Sequence, residues 1–331
     1  NKESLTLDLK TAGGRAVLRD LARRADVLIE NFKPGTMAAL GLGYDSLRAE
    51  NPGLIYCSIT GFGQDGPYAS RPGYDTVIQA QGGLMSITGR ADGEPQKVGV
   101  AVVDITAGLY AAASILAALH HRERTGEGQS IDVALFDVQL SWLANVGSAY
   151  LVSGRAPARY GNAHATIVPY QPFRASDGQI MVAVGNDGQF ARFCAALGRP
   201  EWAADPRFAT NPARVASRDV LVPMIEAVMA GRSVAEWERE LIAAGVPCGP
   251  VNDVPTALSD PQARARGMVR EVVDDRGEAV RVVGPAPRLS ATPPSVRTAP
   301  PRLGQHTESV LRDLLGYDEA RIAALRAEGA I

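Results

Sequence analysis

The feature that most constrains the fold is the alternation of helical and strand patterns over the first sixty residues. Val17, Leu18 and Leu21 recur at helical spacing behind Thr11, which predicts a capped helix running to Arg24. Asp26-Val27-Leu28-Ile29-Glu30 reads as a buried strand, and it ends in the turn Asn31-Phe32-Lys33-Pro34-Gly35. Two short helical stretches follow, one with Met37 and Leu40 and one around Ser46 to Glu50. They lead to a second strand, Leu54 to Thr60. Helices between strands are the pattern of a parallel sheet with crossover connections. Such sheets bind ligands beyond the carboxyl ends of their strands, which makes Asn31 and the loop from Gly61 candidate binding positions. Ahead of them, the alternation of Leu5, Leu7 and Leu9 predicts a short strand over Ser4 to Leu9.

A second stretch carries the chemistry. Gly99 to Val103 is a short apolar run that ends at a lone carboxylate, Asp104, and a long Ala-rich helical pattern follows over Ile105 to Arg122. Asp104 stands where an N-cap belongs. A carboxylate there would meet unpaired N–H groups and the positive end of the helix dipole, which would keep it ionised and able to attack a thioester. Capping and nucleophilic attack are compatible readings. The segment Gly61-Phe62-Gly63-Gln64-Asp65-Gly66 matches G-x-G-x-x-G. Pro67 and Pro72 interrupt the helix that should follow, and no acidic residue stands about 20 residues on, so it reads as a turn and not a dinucleotide site. Arg71-Pro72-Gly73-Tyr74-Asp75 opens a helix predicted to reach Met85, with Gly82-Gly83 interrupting or ending it.

Downstream, Ser130 to Val133 reads as a strand and Ala134 to Leu151 as one helix. Residues 154–168 are polar and form a linker between a large α/β domain over 1–153 and a small α+β domain over 169–262. The small domain opens with a hairpin around Asp177-Gly178, and the loop Gly185 to Gln189 precedes a helix with Phe190, Phe193 and Leu197. Ser233 and Glu236 form a capping-box pattern. Residues 263–331 hold a hairpin around Asp275-Arg276-Gly277, a connector with six prolines, and C-terminal helices that return to the large domain. A net charge of −2 gives no reason to expect nucleic acid or an anionic membrane as partner. No apolar run is read as reaching the length of a membrane span. Three scattered cysteines suit a reducing compartment, and hence the cytoplasm. No metal-ligand spacing is visible among the four histidines.

These motifs together resemble the class III CoA-transferase family, the formyl-CoA or carnitine CoA-transferase type. The matching stretches are Ser4 to Lys10, Glu30 to Gly35, Gly41 to Tyr44, Ile55 to Gly63, Arg71 to Asp75, Asp104 to Tyr110, Arg124 to Gly126, Gly245 to Asn252 and Leu303 to Thr307. The resemblance implies a Rossmann-like large domain, a smaller domain, and a homodimer of interlocked subunits. It makes Asp104 the catalytic nucleophile. It implies CoA contacts from Leu7, Asn31, Phe32 and Arg71, and an active-site wall from Tyr74, Asp75, Gly185, Asn186, Gly188 and Gln189. Asn186 and Asp187 stand where the formyl-CoA branch has glycines, so the substrate cover is expected to differ from that branch. Family members begin with a further strand-helix segment, and this sequence opens after it, without an initiating Met.

The resemblance also implies the reaction. CoA passes from an acyl-CoA donor to a carboxylic acid through an aspartyl-CoA thioester; no cofactor is held permanently, and the CoA thioester is a substrate. The nucleophiles are already anions, so no external base is required. The nearest branch uses succinyl-CoA with dicarboxylates such as citramalate, a likeness carried by Arg71 to Asp75 and Gly161 to Gln171. Arg71 or His164 is the expected partner of the remote carboxylate. Two alternatives stand beside it: an α-methylacyl-CoA racemase or epimerase of the same fold, which needs an acid–base pair, commonly His with Asp, though no His lies in the Arg71–Asp75 region or just before Asp104; and a silent CoA-binding subunit.

Overall fold

The computed structural model describes residues 1–331. They form two compact units. The larger holds Asn1–Ser86, Lys97–Pro157 and Gly267–Ile331, and the smaller holds Ile87–Gln96 and Ala158–Arg266.

In the larger unit, Thr11 caps α1 (Ala12–Arg24) by accepting the Gly14 N–H, as its sequence position predicts. Three parallel strands follow: β1 (Val27–Glu30), β2 (Ile55–Thr60) and, after the helices below, β3 (Ser130–Ala134), in the order β1-β2-β3. Val27 pairs with Ile55, and Tyr56 with Ser130. Central β2 is buried at Ile55, Tyr56 and Cys57, the continuous run expected of a parallel strand covered on both faces. Between β2 and β3 lie α2 (Asp75–Gln81) and the long α3 (Val102–Thr125). After β3 come α4 (Leu135–Trp142) and α5 (Ala144–Ser153). The single helix read over 134–151 is therefore two, broken where Ala144 takes a left-handed φ of 36° that a continuous helix cannot hold. The helix from Asp75 is interrupted at Gly82-Gly83 as their composition predicts: it stops at Gln81, and a short helical turn resumes over Leu84–Ile87.

The smaller unit is an antiparallel sheet covered by helices. Hairpin strands β4 (Tyr170–Arg174) and β5 (Gln179–Ala183) pair in register from Tyr170↔Ala183 to Arg174↔Gln179. Next come α6 (Asp187–Ala196), α7 (Arg218–Met229) and α8 (Val234–Ala243), the last with the Ser233/Glu236 capping box in place. Strand β6 (Cys248–Pro250) then pairs with β5. Phe173, Ile180, Phe190, Phe193, Ile225 and Trp237 fill the core. Residues 87–96 join this unit across a long stretch of chain: Gly161 N–H donates to the Gly89 carbonyl at 3.0 Å, and Arg159 donates to those of Arg90 and Gly93. Hydrophobic periodicity carries no sign of such an excursion, since these ties run through backbone carbonyls.

The chain returns to the larger unit with the hairpin β7 (Val269–Val273) and β8 (Ala279–Val283), and ends in α9 (Glu319–Glu328). One expected strand is absent. Residues 4–8 bond to the C-terminal segment and pair with no strand: Ser4 N–H donates to His306 Nδ1, Thr6 N–H to Thr307 Oγ1, and Asp8 N–H to the Ala330 carbonyl. The reading of membrane-span length is also corrected. By length and composition α3 is apolar enough to cross a membrane, because Asp104 is the one charged residue between Val102 and Leu119. Ile105, Leu109, Tyr110 and Leu116 leave much of its apolar surface exposed.

Candidate active site

The carboxyl ends of β1, β2 and β3 open on one cleft of about 550 Å³. Residues 29–34 line one side, Ile59, Thr60 and Gly61 the floor, and Leu135 the end of β3. Arg71 to Tyr74 and, from α3, Asp104 and Gly108 complete it. The position agrees with the rule for parallel sheets. Thus Asp104, Asn31, Phe32, Arg71 and Tyr74, from different parts of the sequence, come together. No histidine lines the cleft.

Asp104 is not the cap of its helix. α3 begins at Val102, Ala101 is its N-cap residue, and Asp104 lies in the first turn. The cap comes from another helix. Asp75, buried at the start of α2, accepts the Val103 N–H at 2.8 Å and the Asp104 N–H at 3.3 Å through Oδ2. Its Oδ1 accepts from Gln79 Nε2. The Ile105 N–H already goes to the Ala101 carbonyl and the Val102 N–H to that of Val100. These bonds occupy the first donors of the helix, so Asp104 is released from capping and its carboxyl opens to the cleft.

The same arrangement reverses the electrostatic expectation. Loss of water around Asp104 is the larger effect and the Asp75 carboxylate the second, and both push the Asp104 carboxyl above the ordinary aspartate range. A step that needs ionised Asp104 therefore rises with pH through an acid limb placed above that of a free aspartate. Asp75→Asn removes the second cause only. Its limb is expected to move to lower pH without reaching the free value, as a pH series of single-turnover rates would read. An unmoved limb would remove Asp75 from the electrostatics of Asp104.

A glycine pair seats the Arg71–Asp75 segment. A Cβ on Gly61 would fall 2.6 Å from the Gly73 Cα, and one on Gly73 would fall 2.6 Å from the Gly61 Cα. The two backbones touch at the end of β2, a contact no side chain permits. Gly73→Ala is expected to push Tyr74 and Asp75 outward. Misplacement on that scale costs about 10²-fold in rate, and overpacking roughly 1–3 kcal/mol; steady-state kinetics and urea denaturation measure the two. Tyr74, 77% exposed, stands at the cleft wall. Arg71 stacks on Tyr68, its Cζ 3.9 Å from the ring centroid, which aims its planar donors without consuming them in an ion pair.

Comparison with known proteins decides the family. The model of CoA-transferase family III matches residues 1–307. The chain belongs to CoA-transferase family III. A succinate–glutarate CoA-transferase of Agrobacterium fabrum is 48% identical over 95% of this chain and 78% of its own length. A succinyl-CoA–D-citramalate CoA-transferase of Chloroflexus aurantiacus is 38% identical over 100% of this chain and 83% of its own. A crystal structure of a CAIB/BAIF family protein from Brucella suis, 47% identical, superposes with a TM-score of 0.84 over 95% of this chain and 82% of its own. The transferase is thus an acyl-CoA:carboxylate enzyme by family and by relatives.

Other residues singled out in the sequence belong to other elements. Leu7 does not line the cleft; it packs on the cluster of Val17, Leu311, Ile322 and Leu325. His164 belongs to the smaller unit, where its Nδ1 accepts the Thr166 N–H at 3.2 Å and its ring lies 5.2 Å from that of Tyr170. The Gly185–Gln189 loop, also in the smaller unit, is a tight cap. Asn186 accepts the Gln189 N–H, and Gln189 Oε1 accepts the Gly185 N–H at 2.7 Å. Asp187 pairs with buried Arg214 at 2.9 Å. Sequence reasoning missed Gln79, the Gly61–Gly73 contact and Arg214. A Gln four residues after Asp75, on the same helix face, is the one available signal.

Proposed function

We propose that the transferase moves CoA from succinyl-CoA to a dicarboxylic acid, with Asp104 as the covalent nucleophile. The observation that carries this is the Asp104 carboxyl, freed from capping and open to a cleft built from three strand ends. Asp104 attacks the thioester carbonyl; its oxygen bonds to the acyl carbon, the C–S bond breaks, and CoA leaves as the thiolate. The thiolate attacks the aspartyl carbonyl of the anhydride and releases succinate, leaving an aspartyl-CoA thioester. The acceptor carboxylate then reverses both steps with its own acyl group. The oxyanions cannot draw on the first donors of α3, which Asp75 occupies, so their stabilisation is left to other groups of the cleft.

Asn31 and Phe32 are assigned to CoA, and Arg71 to the anionic end of CoA or of the acid. The relatives named for succinate, glutarate and citramalate support the dicarboxylate preference. The wall roles of Gly185, Asn186, Gly188 and Gln189, the CoA contact of Leu7 and the substrate role of His164 belong to the same proposal. So do the Rossmann-like description of the parallel sheet and an interlocked homodimer. Exposed apolar residues on α3 and α5, among them Leu109, Leu116, Leu151 and Val152, support a second copy covering them. Three free cysteines support a reducing, cytoplasmic setting.

Initial rates with succinyl-CoA against glutarate, other dicarboxylates and monocarboxylates of equal length test the reading. Parallel-line kinetics and preference for dicarboxylates are expected. Arg71→Ala should lose that preference by about tenfold or more, as one charge-assisted contact is removed. Deuterium entering the α-carbon of the acyl group without any acceptor acid would instead favour the racemase.

A further inference from the structure

We propose that Gln79 is a positioning residue for the transfer reaction: it clamps the chain entering α3 and, through Asp75, the first turn that carries Asp104. The inference rests on the reading of Asp104 as nucleophile. Gln79 is fully buried on α2, one turn after Asp75. Its two polar atoms are used in opposite senses. Nε2 donates to Asp75 Oδ1, while Oε1 accepts the Val98 N–H at 2.9 Å. Val98 lies four residues before the helix begins, and Asp75 holds Val103 and Asp104 just after it begins. One amide thus ties both sides of the bend that delivers Asp104.

The chemistry explains why an amide stands there. A buried carboxylate needs donors on both oxygens, and Val98 needs an acceptor. Only a group that donates and accepts serves both. The titratable neighbour brought by α3 is Asp104; α4 faces α2 with Gln139, an uncharged amide. Across the cleft stand Glu30, Lys33 and Arg71. In Gln79→Glu, the ionised side chain would lose the donor and set a second carboxylate on Asp75. Its protonated form keeps the pattern, with the O–H donating to Asp75 and the carbonyl accepting from Val98. The double exchange Asp75→Asn with Gln79→Glu also keeps it, in mirror sense. The amide introduced at position 75 would donate to the carboxylate introduced at position 79, and that carboxylate would accept the Val98 N–H.

The experiment measures the single-turnover rate of aspartyl-CoA formation at saturating succinyl-CoA, per folded protein, across pH. Wild type, Gln79→Glu, Asp75→Asn, the double variant and Asp104→Ala are compared. Gln79→Glu should approach wild type at low pH and fall as pH rises, to a loss of about 10²-fold, the scale of a 1 Å misplacement. The KM for succinyl-CoA should stay near the wild-type value. Asp75→Asn should be slow, and the double variant should recover most of the rate. A Gln79→Glu profile parallel to wild type, or a double variant no better than Asp75→Asn, would overturn the proposal. Loss of folding in both Gln79→Glu and the double variant would assign the clamp to stability alone and overturn it equally. If wild type forms no adduct at Asp104, the nucleophile reading fails first, an outcome separate from the others.

Discussion

Asp104→Asn abolishes CoA transfer while leaving the protein at least as stable as wild type. Removal of a covalent nucleophile costs on the order of 10⁴-fold or more in turnover, because the carboxylate oxygen that bonds the acyl group and the anhydride carbonyl that takes CoA are both lost. The stability half follows from the sign of the shift. The Asp104 carboxyl sits above its ordinary range in the folded protein, so its ionised form is held less well there than in the unfolded chain. That cost is absent below the ordinary aspartate pKa and fully present once pH has risen through the folded value. A neutral isostere removes it at neutral pH. A residue kept against stability, in an open cleft, is the pattern of a site built for reaction. Thermal denaturation beside assays of succinate–glutarate exchange would measure both halves. An active Asp104→Asn protein, or one that loses stability with its activity, would contradict the account.

Arg214→Leu is the largest stability effect expected in the smaller unit. The Arg214 side chain is fully buried. Its Nε donates to the Val168 carbonyl at 2.7 Å, Nη1 to that of Phe208 at 2.9 Å, and Nη2 to Asp187 at 2.9 Å. The guanidinium plane also lies 4.3 Å from the centre of the Phe190 ring. Each orphaned buried carbonyl costs about 1–3 kcal/mol. Asp187 stays more than half in solvent, so its lost ion pair adds little. The sum is about 3–5 kcal/mol, and Asp187→Asn should cost less than about 1 kcal/mol. Urea unfolding followed by the fluorescence of Trp202 and Trp237, both in the smaller unit, separates these values. A loss below about 1 kcal/mol for Arg214→Leu would mean that other donors reach the two carbonyls.

The contrast between Arg214 and Thr11 shows what a sequence discloses. Thr11 and Ser233 cap helices from beside their own first turn, and each is legible because the interaction spans three residues. Strands β7 and β8 are legible because alternation and a turn occur together. Asp75 caps a helix that starts 27 residues later, and no local pattern records it. The lone carboxylate before a helical run looks like the cap, and the true cap is the neighbouring candidate. Gly61 and Gly73 can be read only as turn residues, since their reason is each other's backbone. Arg214 looks like one more surface cation; its partners are carbonyls 46 and 6 residues away, and carbonyls carry no sequence signature. The cleft itself is legible in outline, because strand ends in a parallel sheet converge wherever the strands lie.

The most direct test of the central claim is peptide mass spectrometry after incubation with succinyl-CoA and no acceptor acid, with hydroxylamine as trap. A hydroxamate, or the CoA thioester itself, is expected on the peptide containing Asp104, and none in Asp104→Ala. Retained CoA binding and turnover without any modification at Asp104 would contradict it.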